Sequence, residues 1–101
     1  MKTGAMSDHE RVALERLRTA IVELESVVGS DAPKPLALER FVRTLRALEK
    51  DVVSGNAVNY TPWMARVVAD SWPFSLSAGE AVIEAEEAYA SWSRNRRHSC
   101  E

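Results

Sequence analysis

Residues 7–28 read SDHERVALERLRTAIVELESVV, and the spacing within them sets the fold class. Leu14, Leu17, Ile21, Leu24 and Val28 recur at intervals of three and four, with Ala13, Ala20 and Val27 widening the same stripe. That period lays one apolar face along an α-helix and turns the charged residues to the other side. Ser7-Asp8-His9-Glu10 opens the run with a capping-box pattern, in which the serine accepts from a first-turn amide and the glutamate reaches back to the cap. Gly29-Ser30-Asp31-Ala32-Pro33 closes it with a glycine, turn residues and a proline.

The same signature returns three times downstream. A second helix is expected over 35–54, with Pro35 in its first turn, Leu38, Phe41, Leu45, Leu48 and Val52 inward, and Gly55 at its end. Thr61-Pro62 reads as a cap and first helical residue for a shorter helix over 62–72, which turns Trp63, Met64, Val67, Val68 and Trp72 inward and stops at Pro73. Ser77-Ala78-Gly79-Glu80 is a second capping box, and Val82, Ala85, Tyr89 and Trp92 mark a fourth helix over 78–94. No stretch alternates with the period of a strand. The expectation is an all-α fold, a small antiparallel four-helix bundle with helices at about 7–28, 35–54, 62–72 and 78–94. A helical hairpin pairing with a second copy satisfies the same spacing, so a homodimer stands beside it.

With 101 residues, 46% hydrophobic and 28% charged, the chain fits one core and no more. We expect a helical domain over 7–95 between a flexible leader, 1–6, and a flexible tail, 96–101. A net charge of −2 argues against wholesale attraction to nucleic acid. No apolar run reaches the roughly 18 residues that span a bilayer, and the opening residues lack the apolar centre of a secretory signal, so the reading is cytoplasmic with no membrane contact. Cys100, the single cysteine, reads as an inert tail thiol.

No glycine-rich phosphate loop, nucleophile elbow or Cys-x-x-Cys pair is present. His9 and His98 stand alone, outside any Glu-x-x-His or His-x-x-x-His spacing, so no metal ligands, cofactor residues or catalytic residues are assigned and the chain reads as a non-enzyme. Arg11, Arg18, Arg43 and Arg46 flank the apolar stripes, where convergence on a small anion is disfavoured.

Two charged surfaces remain. Glu80, Glu84 and Glu87, with Glu86 beside them, sit at helical spacing near the start of the fourth helix, a face suited to a basic partner. Arg40, Arg43, Arg46 and Lys50 form a basic ridge on the second helix, diluted by Glu39, Glu49 and Asp51. Arg94, Arg96 and Arg97 at the end of the fourth helix suit the macrodipole. Tyr60, Trp63, Trp72 and Phe74 crowd one short stretch, where they either anchor an interface or close the end of the core. The leading expectation is therefore a protein-binding module, an inhibitor, immunity or antitoxin-type protein of bacteria or phage. Glu80, Glu84, Glu87, Tyr60, Trp72 and Phe74 would contact another, basic protein. The alternative is a nucleic-acid-associated regulatory protein working through Arg40, Arg43, Arg46 and Lys50.

Overall fold

The computed structural model describes residues 8–30, 37–56, 60–72 and 77–99, with side chains through Arg96. Four helices lie among them: α1 (Asp8–Val28), α2 (Leu38–Ser54), α3 (Met64–Ser71) and α4 (Ser77–Ser99). The leader, Ser7 of the first capping box, Pro33, Pro35, Pro73, Phe74 and Cys100 lie outside the described residues. Among the described residues there is no strand, and no helix is long and apolar enough to cross a membrane. The all-α four-helix expectation holds.

Cross-contacts give the directions. Arg16 meets Glu84 and Ser77 meets Glu23, so α1 and α4 run antiparallel. Arg18 pairs with Glu49 and Arg46 with Glu25, which sets α2 antiparallel to α1. Tyr89 donates to Asp51 at 3.3 Å and Arg96 donates to the Gly55 carbonyl at 2.7 Å, so α2 and α4 run parallel with their C-terminal ends tied together. The interior is filled by Leu14, Leu17, Ile21 and Leu24 from α1, Phe41, Leu45, Leu48 and Val52 from α2, and Val82, Ala85, Tyr89 and Trp92 from α4. Each large side chain so buried contributes about 1.5–3 kcal/mol, against the conformational entropy of a chain this size.

The helix ends show which local signals decide. At the end of α1, Gly29 does not take a left-handed conformation; the Ser30 amide donates to the Val27 carbonyl at 3.1 Å, and the Ser30 hydroxyl donates to the same oxygen at 2.9 Å. Gly55 does take it, with φ 74°, and the amides of Gly55 and Asn56 close on the carbonyls of Val52 and Asp51 as a Schellman cap.

Three expected boundaries move. Helix α2 begins at Leu38 rather than at residue 35, because Ala37 is left-handed with φ 62° and a right-handed helix does not pass through such a residue. Helix α3 begins at Met64 rather than at Pro62, with Trp63 as its N-cap residue and no capping side chain of its own. Helix α4 runs to Ser99, five residues past Arg94, and takes positions 96–99 out of the expected tail. Trp72 closes α3 in an extended conformation, as a residue before proline prefers.

Candidate functional site

The expected acidic residues divide into two groups. Glu80, Glu84 and Glu87 are exposed on α4. Glu86 is only 1% exposed and faces inward. The reason lies in helical spacing: α4 is buried along two adjacent stripes. Ala78, Ala85 and Trp92, with half-buried Ala81 and Ala88, form one; Gly79, Val82, Glu86, Tyr89 and Ser93 form the other. Glu86 therefore does not belong to the acidic surface.

Its carboxylate instead caps α3 from across the bundle. One oxygen, Oε2, accepts from the Tyr60 hydroxyl at 2.6 Å, the Trp63 amide at 3.0 Å and the Met64 amide at 2.9 Å. The other, Oε1, accepts from the Ala65 amide at 2.9 Å. These amides are the otherwise orphaned donors of a helix start, where the macrodipole also favours a negative charge. A buried carboxylate is thereby satisfied by backbone and a phenol, the condition under which burying it is tolerable. The Tyr60 phenol is pushed well above the ordinary tyrosine range, first by burial, then by donating its proton to Glu86 and by that group's charge.

The aromatic corner is part of the interior. Trp72, 5% exposed, stacks on Phe41 of α2 with ring centroids 4.5 Å apart, and Trp63 meets the same ring edge-on at 5.1 Å. Tyr60 packs edge-on against Tyr89, which leans on Trp92. Trp72 is thus corrected from surface anchor to core residue, and half-buried Tyr60 is committed to Glu86. The short α3 needs these rings to bury enough area to stay docked. Phe74 lies outside the described residues.

On the outer side of α1 and α4 an open groove of about 530 Å³ is lined by Asp8, His9, Val12 and Arg16 from α1 and by Glu84, Glu87, Ala88 and Ser91 from α4. Arg16 and Glu84 bridge it at 2.7 Å. Beyond that bridge a second depression of about 270 Å³ continues between Glu15, Thr19 and Ala81. Two of the three acidic residues expected to bind a partner, Glu84 and Glu87, line this furrow; Glu80 lies one turn before Glu84 on the same helix. Asp8 is shared with Arg11 at 3.0 Å, whereas Glu87 has no ion pair among the described residues.

The basic ridge is exposed along α2, as spacing predicts, but half of it is engaged. Arg46 pairs with Glu25 of α1, and the Arg40 guanidinium lies over the Trp63 ring, 4.7 Å from its centroid. Arg43 and Lys50 have no ion pair among the described residues. Among those residues no cluster of three or more histidine, cysteine or acidic side chains is disposed to hold a metal ion. No known protein family, curated protein or solved structure matches the chain.

Proposed function

We propose that the chain is a non-enzymatic protein-binding module whose acidic α1–α4 surface captures a basic partner protein in the cytoplasm, in the manner of an inhibitor, immunity protein or antitoxin. The observation that carries this reading is the furrow. Glu84, Glu87 and Asp8 surround an apolar floor at Val12 and Ala88, and Glu87 has no cation of its own among the described residues. Acidic walls speed association with a basic surface, and a desolvated floor supplies affinity that charge alone does not. Because Trp72 is consumed by the core, the anchor residues are expected on the partner.

The second reading, a nucleic-acid-associated protein, is favoured by Arg43 and Lys50, the two ridge cations that have neither an ion pair nor a ring contact among the described residues. It is weakened by the commitment of Arg46 to Glu25 and of Arg40 to Trp63.

Affinity capture from a lysate of the source cell, with and without nuclease, separates the two. Under the first reading one stoichiometric protein survives nuclease and is lost with Glu84→Lys/Glu87→Lys but kept with Arg43→Glu. Recovery only of nuclease-sensitive material, lost with Arg43→Glu and steeply weakened by salt, would reverse the conclusion.

A further inference from the structure

We infer that the occupant of the α1–α4 furrow is a cationic amphipathic helix of the partner, laid with leucine-like side chains on Val12, Ala81 and Ala88 and with arginines against the carboxylate walls. The inference rests on the protein-binding reading above and specifies what that site receives. The furrow has the dimensions for it. From Asp8 to Thr19 on α1 it runs about three helical turns, or about 17 Å at 1.5 Å per residue. On α4 the alanines at 81 and 88 are seven residues apart and bring the floor down where larger side chains would fill it. Val12, on the α1 side of the same floor, is left 37% exposed.

Charge selects the sign of the occupant. Asp8, Glu15, Glu84 and Glu87 line the two depressions; Arg11 pairs with Asp8 and Arg16 with Glu84, which leaves Glu15 and Glu87 without an ion pair among the described residues. An arginine entering beside Glu84 competes with Arg16 for the same carboxylate and, by displacing it, joins the two depressions into one trough. Guanidinium suits this exchange because its planar fork takes two carboxylate oxygens at once. A helix set in a groove reads through anchors at i, i+3, i+4 and i+7, the spacing that matches a trough of this length.

The probe is a synthetic helical peptide with leucines at i, i+4 and i+7 flanked by arginines, titrated into the isotope-labelled full chain and followed by amide chemical shifts. Two controls replace its leucines by serine or its arginines by glutamate. Shifts concentrated at Val12, Ala81, Ala88 and Ser91 are expected. Affinity should fall about 10-fold with Glu87→Lys, the coupling of a close charge pair. It should fall about 5-fold with Val12→Asn, the share of a half-exposed valine, and by at least as much for the serine peptide. If Glu84→Lys/Glu87→Lys weakens capture while Val12→Asn and the serine peptide bind as well as their parents, the acidic surface stands and the amphipathic helix is overturned. If none of these changes matters, both readings fall together. Shifts centred on Arg43 and Lys50, or concentration-dependent self-association that the peptide does not compete away, would assign the furrow to something other than this helix and overturn the inference.

Discussion

Replacing Glu86 by alanine removes the one side chain that caps α3 among the described residues, and the cost follows from counting donors. Tyr60, Trp63, Met64 and Ala65 each lose an acceptor. A buried donor left unsatisfied costs about 1–3 kcal/mol, so these four, of which only the Met64 amide is fully buried, set a ceiling of about 4–12 kcal/mol. The chain does not reach that ceiling, because α3 can lift off and find water. What is then lost is its docking, chiefly the burial of Met64 and Trp72 at about 2–3 kcal/mol each, less the desolvation cost recovered when the carboxylate is gone. The expected loss is about 3–5 kcal/mol, a large fraction of the 5–15 kcal/mol typical of a domain.

Glu86→Gln keeps the volume and one acceptor, but its amide nitrogen must then face a backbone N–H, so about half that loss is expected. Urea unfolding gives the global figure, and hydrogen exchange of the 63–71 amides shows whether the loss is concentrated in α3. A cost under about 1 kcal/mol for Glu86→Ala, with the amides of 63–65 as protected as before, would refute the capping argument. A glutamine variant more stable than the parent would show that the buried charge is a net burden.

Trp72→Ala should cost about 3–5 kcal/mol and loosen α3, since it leaves a cavity against Phe41; thermal unfolding with a probe on Trp63 measures both. The Tyr60 phenol gives a pH signature. It stays protonated in the folded chain past the point, about pH 10, where the unfolded phenol ionises, so its contribution is full below that point and falls as pH rises beyond it. Tyr60→Phe should flatten the alkaline loss of stability by up to ~1.4 kcal/mol per pH unit relative to the parent, and equal slopes in the two proteins would count against it. Ala37→Gly should raise stability by about 0.5–1 kcal/mol by relieving the left-handed alanine at the entrance to α2; a loss in urea unfolding would show that this residue's methyl packing outweighs the strain. At Gly79 an added Cβ would lie 2.9 Å from a Val68 methyl, so Gly79→Val should cost about 1–3 kcal/mol and displace α3, read by the same exchange experiment.

The long helices were legible because their stripes are made of large apolar residues. Leu14, Leu17, Ile21 and Leu24 on α1, and Phe41, Leu45, Leu48 and Val52 on α2, are buried as their spacing requires. At α3 a local signal lost to a tertiary one. Thr61-Pro62 looks like a helix start, yet the Glu86 carboxylate fixes the first turn two residues later. On α4 the second buried stripe is interrupted by a glycine, a glutamate and a serine, so hydrophobic periodicity does not reveal it. A signal was present all the same: Glu86 falls four after Val82 and three before Tyr89, inside an apolar register. The crowding of Tyr60, Trp63 and Trp72 was visible, but only the position of Phe41 shows that these rings close the core. For the furrow, sequence shows Glu84 and Glu87 on one face but does not show that α1 brings Val12 and Asp8 alongside them.

Adjacent residues on α4 therefore serve different purposes, and this makes the two arguments separable. A step of one residue turns about 100° around the helix, enough to carry Glu86 into the α3 junction and Glu87 out to the α1 furrow. Reversing the charge of Glu87 removes no contact of Glu86, and the exposed side chain contributes little to folding. Conversely, Glu86→Gln loosens α3, which lies on the other buried stripe, and leaves Asp8, Val12 and Glu84 in place. The double variant should accordingly lose stability as Glu86→Gln does and peptide affinity as Glu87→Lys does, with each loss independent to within about 0.5 kcal/mol. Coupling well above that value would mean that the docking of α3 shapes the furrow through α4, and the two surfaces would have to be treated as one.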